Sequence, residues 1–134
     1  MSNEKTQTQD PLERFRELAR KYGGRLILPG FDSPHGPEIA IDIPGLEGLW
    51  VSKGIIVSTC DFNSVRADLY IPRDSNKAML FRMLFRVAAE KYGLEYDDLG
   101  GEAILYANVE SFDRLVGALR EFGQAWKALK EMWL

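Results

Sequence analysis

From Ser64 to Ile71 apolar and polar positions alternate: Val65, Ala67, Leu69 and Ile71 fall on one side, Arg66, Asp68 and Tyr70 on the other. That spacing predicts a strand with one buried face. Pro72 breaks it, and Asp74 or Ser75 can cap a helix after it. From Lys77 to Tyr92 the period changes. Ala78, Leu80, Phe81, Leu84, Phe85, Val87 and Ala88 cover most of the circumference, while Arg82, Arg86 and Glu90 share one narrow stripe. A helix apolar over so much of its surface must be covered on more than one side. It is expected at the centre of the core, between a sheet and a second helix.

The same reading extends along the chain. Residues 1–9 are polar and read as a disordered tail. Asp10, Pro11 and Glu13 open a helix as N-cap, N1 and N3, and Gly23-Gly24 ends it. Arg25–Leu28 and Glu38–Ile43 read as strands. Leu46–Val51 and Gly54–Cys60 read as a hairpin around Ser52-Lys53-Gly54. Glu95–Gly101 reads as an acidic loop and Glu102–Val109 as a further strand, entered by a right-handed crossover if it joins the same sheet. Phe15–Gly23 and Phe85–Gly93 share Phe, Arg, Ala, Lys, Tyr and Gly in register. With no longer periodicity around them, they read as two similar helix endings and not as a repeat.

In Ser111–Leu134, Leu115, Leu119, Phe122, Trp126, Leu129 and Trp133 follow 4,3-spacing, a coiled-coil seam about 36 Å long if unbroken. Gly117 and Gly123 lie off it and weaken the helix by about 1 kcal/mol each, with a kink near Gly123 as one outcome. The seam either closes the core on the central helix or pairs two chains; two tryptophans near its end favour association.

The fold class expected is α+β: an antiparallel meander sheet of four to six strands packed on a buried helix, with amphipathic helices at both ends. The units are a tail (1–9), a domain (10–110) and a C-terminal helix (111–134). At 134 residues, with 46% apolar and 28% charged residues, the chain has room for one core. A single cysteine, Cys60, permits no internal disulfide and favours a reducing, cytoplasmic setting. The start lacks a secretory pattern, and no membrane span is expected.

Chemistry is sparse. His35, the only histidine, lies in a Pro/Gly-rich loop near Asp32 and Glu38, without a nucleophile pattern. No catalytic residue, metal site or cofactor is expected, and no phosphate-binding glycine motif is present. A net charge of −3 argues against non-specific duplex binding. Ten of the seventeen basic residues are arginine, which suits both phosphate contacts and structural ion pairs. Strand parity places Trp50, Arg66, Tyr70 and Tyr106 on the sheet face away from the central helix, with Lys53 and Arg73 at its margins. Rings interleaved with cations suit single-stranded nucleic acid, whose bases stack while its phosphates meet the cations. The competing use of that face is burial of the rings beneath the N-terminal helix.

The tail, the capped helix, the meander carrying Leu49-Trp50-Val51-Ser52-Lys53-Gly54, the strand Val65–Arg73, the apolar helix and the terminal heptad together resemble the ThermoDBP family of archaeal single-stranded DNA-binding proteins. The resemblance implies a groove lined by apolar and aromatic side chains, flanked by basic ones, on a fold other than the OB barrel. It also implies homodimerisation through a C-terminal coiled coil and a place in DNA replication and repair. Trp50 and Tyr70 are then the stacking candidates, and Lys53, Arg66 and Arg73 the phosphate contacts. Single-stranded DNA is the expected partner, with RNA as the variant. The rival expectation is a protein-interaction module that works through the C-terminal seam without nucleic acid.

Overall fold

The computed structural model describes residues 10–28, 36–51, 55–57 and 63–133. The tail, residues 29–35 with His35, Lys53 and Cys60 lie outside the described residues. Helix α1 (Pro11–Lys21) leads into β1 (Arg25–Ile27), β2 (Glu38–Ala40), β3 (Ile55–Val57) and β4 (Ser64–Tyr70). Helix α2 (Ser75–Lys91), the hairpin β5 (Glu95–Asp98) and β6 (Glu102–Asn108), and helix α3 (Phe112–Met132) come next. The six strands form one sheet in the order β1-β2-β3-β4-β6-β5, with antiparallel neighbours throughout. The α+β architecture is as expected. The acidic stretch is not a loop: Glu95–Asp98 is the edge strand, so β6 runs antiparallel to β4 and the crossover from β4 leads to β5.

The helix boundaries obey the local chemistry. Asp10 caps α1 through the Leu12 amide, and Asp74 caps α2 through the Lys77 amide. Glu13 is engaged by Arg16 at 2.7 Å. The two similar endings share one geometry. Gly23 and Gly93 have φ of 72° and 67°, and the following amides return to Ala19 and Ala89, which satisfies carbonyls the helix leaves open.

Leu46–Val51 does not form a hairpin with the stretch after it. Trp50 pairs with Leu69, and β3 pairs with β4 further along the same edge. Six positions separate 50 from 56 while three separate 69 from 66, so one strand parity does not carry from Trp50 to β3.

Val65, Ala67, Leu69 and Ile71 are buried on one sheet face, as their alternation predicts. α1 packs there on β1 and β2, α3 packs on β6 and α2, and α2 reaches β5. The deepest helix is α3, with eight buried residues against five in α2. Its stripe is used inside the chain: Leu115, Leu119, Phe122 and Trp126 are buried, and Leu129 packs against the same core. Phe122 meets Phe81 and Phe85 at ring distances of 4.8 and 5.6 Å, and Trp126 meets Phe81 at 5.4 Å. Pairing two chains through this seam would strip α2 of its partner, so the stripe closes the core. The helix runs through both glycines. A Cβ on Gly123 would stand 2.4 Å from the Pro44 carbonyl oxygen, and one on Gly117 would stand 2.7 Å from the Tyr92 ring. These glycines allow close approach within an unbroken helix. α2 in turn is covered on two sides, and Met79, Met83 and Val87 remain exposed on the third.

Candidate functional site

The face of β4 opposite the helices carries Arg66, Asp68 and Tyr70. Register adds Glu102, Ile104 and Tyr106 from β6, and Glu95 and Asp97 from β5. Its centre is not an open platform, because Asp68 and Ile104 are only 3% and 2% exposed. Arg66 Nη2 lies 3.2 Å from Asp68 Oδ2, so much of its charge is balanced within the chain. Tyr106 Oη donates to Asp97 Oδ2 at 2.7 Å. Four carboxylates against one guanidinium make the β4-β6-β5 portion acidic and repellent to phosphate.

The bond to Asp97, then desolvation and the Asp97 charge, raise the Tyr106 pKa above the usual tyrosine value, with Arg66 acting in the opposite sense. A group raised on folding contributes stability below its unfolded pKa and loses it as pH rises through the folded one. We therefore expect Tyr106 to form phenolate late in an ultraviolet titration, and Asp97→Asn to return it toward the ordinary range. An unchanged titration in that variant would contradict the assignment. At the turn beside it, desolvation alone would raise the Asp98 carboxyl. Hydrogen bonds from the Gly100 amide and Arg82, together with the Arg82 charge, outweigh it and hold the pKa below the usual carboxylate value.

Of the six residues expected to bind, the fold separates the five that are described. Tyr70 is 48% exposed and shares a cavity of about 690 Å³ with Arg73, lined also by Gly48, Leu49 and Pro72. Arg73 is itself exposed. Arg66 and Tyr106 lie on the same sheet face, engaged by carboxylates. Trp50 lies elsewhere: opposite Leu69 it is on the helix-covered face, half-buried against the core. The pairings of Trp50 with Leu69 and of Ile56 with Arg66 differ in parity, which the other placement does not allow for. Lys53 lies outside the described residues.

No protein-family model, curated protein or solved structure matches this chain.

A second cluster of rings and cations has no counterpart in the strand pattern. Lys77, Lys127, Lys130 and Trp133 line a cavity of about 480 Å³ with Gly45, Glu47 and Glu131. Trp133 is 36% exposed, with its ring 5.3 Å from that of buried Trp126 and the Lys77 ammonium 4.8 Å from its centroid. Lys127, Lys130 and Trp133 recur every three residues, a signal for that face that the sequence does carry. Lys77, more than forty positions away in sequence, is joined to them only by the packing of α2 on α3. Among the described residues no group of His, Cys, Asp and Glu could hold a metal ion. None of the described helices is long and apolar enough to cross a membrane.

Proposed function

We propose that this protein binds single-stranded nucleic acid without catalysing a reaction on it, and that the strand enters at the Tyr70–Arg73 groove. The carrying observation is the pairing of a half-exposed ring with an exposed guanidinium in one open cavity. A base stacks on Tyr70 while Arg73 meets the adjoining phosphate. Glu102 also lines this groove, so Arg73 is its one cation against one carboxylate, while Asp68, Glu95 and Asp97 make the rest of that sheet face less favourable to phosphate. The resemblance to the ThermoDBP family supports the same ligand, with Tyr70 and Arg73 as the two family-type candidates that share a groove.

Anisotropy titration of a labelled single strand, competed by duplex of the same sequence, tests this reading. We expect Tyr70→Ala to weaken binding by about 1–3 kcal/mol, or roughly 5- to 150-fold. Arg73→Gln should reduce the salt slope by about 0.7. Single-strand binding indifferent to both changes would remove the groove. No binding at low salt would remove the function.

A protein-interaction role is the second reading, moved from the seam to α2. Met79, Met83 and Val87 are 55%, 51% and 61% exposed and form a continuous apolar row beside Arg82 and Arg86. A folded chain that fails to bind any strand at low salt would leave this reading standing.

A further inference from the structure

We infer that the Trp133 cavity is a second subsite for the same strand, which crosses from Tyr70 over the 45–49 loop to the lysines of α3. This rests on the single-strand reading above.

The linings of the two cavities follow one another along two chain segments. Gly45 and Glu47 line the Trp133 cavity, while Gly48 and Leu49 line the Tyr70 cavity. Likewise Tyr70, Ile71, Pro72 and Arg73 line one and Lys77 the other. Glu47 and Gly48 are consecutive, so the two linings meet within one Cα–Cα step of about 3.8 Å. The resulting path carries two accessible rings, Tyr70 and Trp133, and four cations, Arg73, Lys77, Lys127 and Lys130, against three carboxylates, Glu47, Glu102 and Glu131.

The chemistry of the second cavity points to an aromatic group carrying negative charge. Trp133 is steadied edge-on by Trp126, which fixes the ring without covering it fully. Three ammonium groups border it against two carboxylates, and the Glu47 carboxylate already accepts from the Gly45 amide at 3.1 Å. Lys77 caps the ring in the unbound chain. An arriving base would replace it on the ring face, and Lys77 would turn to the phosphate that comes with the base. The exchange conserves the favourable contacts of both cation and ring. A nucleotide unit of a single strand supplies both parts at once. A simple anion supplies only one.

The test uses the full chain and two labelled single strands of mixed sequence. One has about 20 nucleotides, longer than the ~4–16 of many single-strand sites, and the other about 4. Lys127→Gln/Lys130→Gln changes two surface-facing side chains, so the fold should survive, and circular dichroism checks this. The double variant should bind the long strand about tenfold more weakly, with the salt slope lowered by about 1.4, and bind the short strand nearly as wild type does. Quenching of Trp133 fluorescence by the long strand, absent in Trp133→Phe, would support stacking there. Undiminished long-strand binding by the double variant, with Tyr70→Ala still impaired, would overturn the second subsite alone. Wild-type protein that binds neither strand would overturn the single-strand reading and the subsite together.

Discussion

Leu119→Glu should abolish the cooperative thermal unfolding transition and not merely separate two folded chains. Leu119 is fully buried, in the stripe of α3 that closes against α2 and the sheet. Removing a buried leucine side chain costs about 2–5 kcal/mol. Burying a carboxylate without a partner costs several more, unless the chain opens to hydrate it. Small domains have only about 5–15 kcal/mol in total. Circular dichroism melting and size-exclusion chromatography should therefore show loss of structure at room temperature. A folded variant with an unchanged melting temperature and a smaller size would instead mean that the stripe faces another chain.

The second large effect has the opposite sign from the one helix propensity gives. Gly123→Ala would be expected to strengthen a helix by about 1 kcal/mol. Here the added Cβ would lie 2.4 Å from a backbone oxygen, that of Pro44, and 3.5 Å from the Ile43 and Leu46 side chains. Both sides of the contact are main chain, so relief requires moving the 43–46 loop or the helix. Overpacking of this kind costs about 1–3 kcal/mol. We expect a net loss of about 1–2 kcal/mol and a melting temperature lower by several degrees. Gly45→Ala should be worse, because its Cβ would lie 2.0 Å from the Gly123 oxygen and its φ is +95°. Gly117→Ala should be milder, since the Tyr92 ring it meets can turn. A stabilised Gly123→Ala would show that the loop yields and that intrinsic propensity governs.

These glycines also show where one-dimensional patterns stop. The alternation of β4, the caps at Asp10 and Asp74 and the stripe of α3 are legible in spacing alone, because each obeys a local period. Spacing does not say whether Leu119 meets its own chain or another, nor that Gly123 faces a loop about 80 positions earlier. Glu95-Tyr96-Asp97-Asp98 is poor in the residues that favour strands, and its extended shape comes from pairing with β6. The error at Trp50 has a single cause. Strand parity holds only along one regular ladder, and the pairings of Trp50 with Leu69 and of Ile56 with Arg66 do not share one. Arg66 and Tyr106 lie on the face that parity gives them, but Asp97, the carboxylate that holds Tyr106, belongs to a stretch that reads as a loop. The candidate site accordingly lies at the end of the sheet and on a helix, not in the middle of the sheet.

The same acidic β5 has a consequence for how molecules of this protein meet. It is the outermost strand on its side, and all four residues are exposed. An outermost strand offers unpaired amides and carbonyls to any second sheet that approaches. Three of its four side chains are carboxylates, so two such borders brought together would crowd like charges along their whole length. Repulsion between like charges therefore opposes edge-to-edge pairing at β5, although Arg82 offsets Asp98 within the chain.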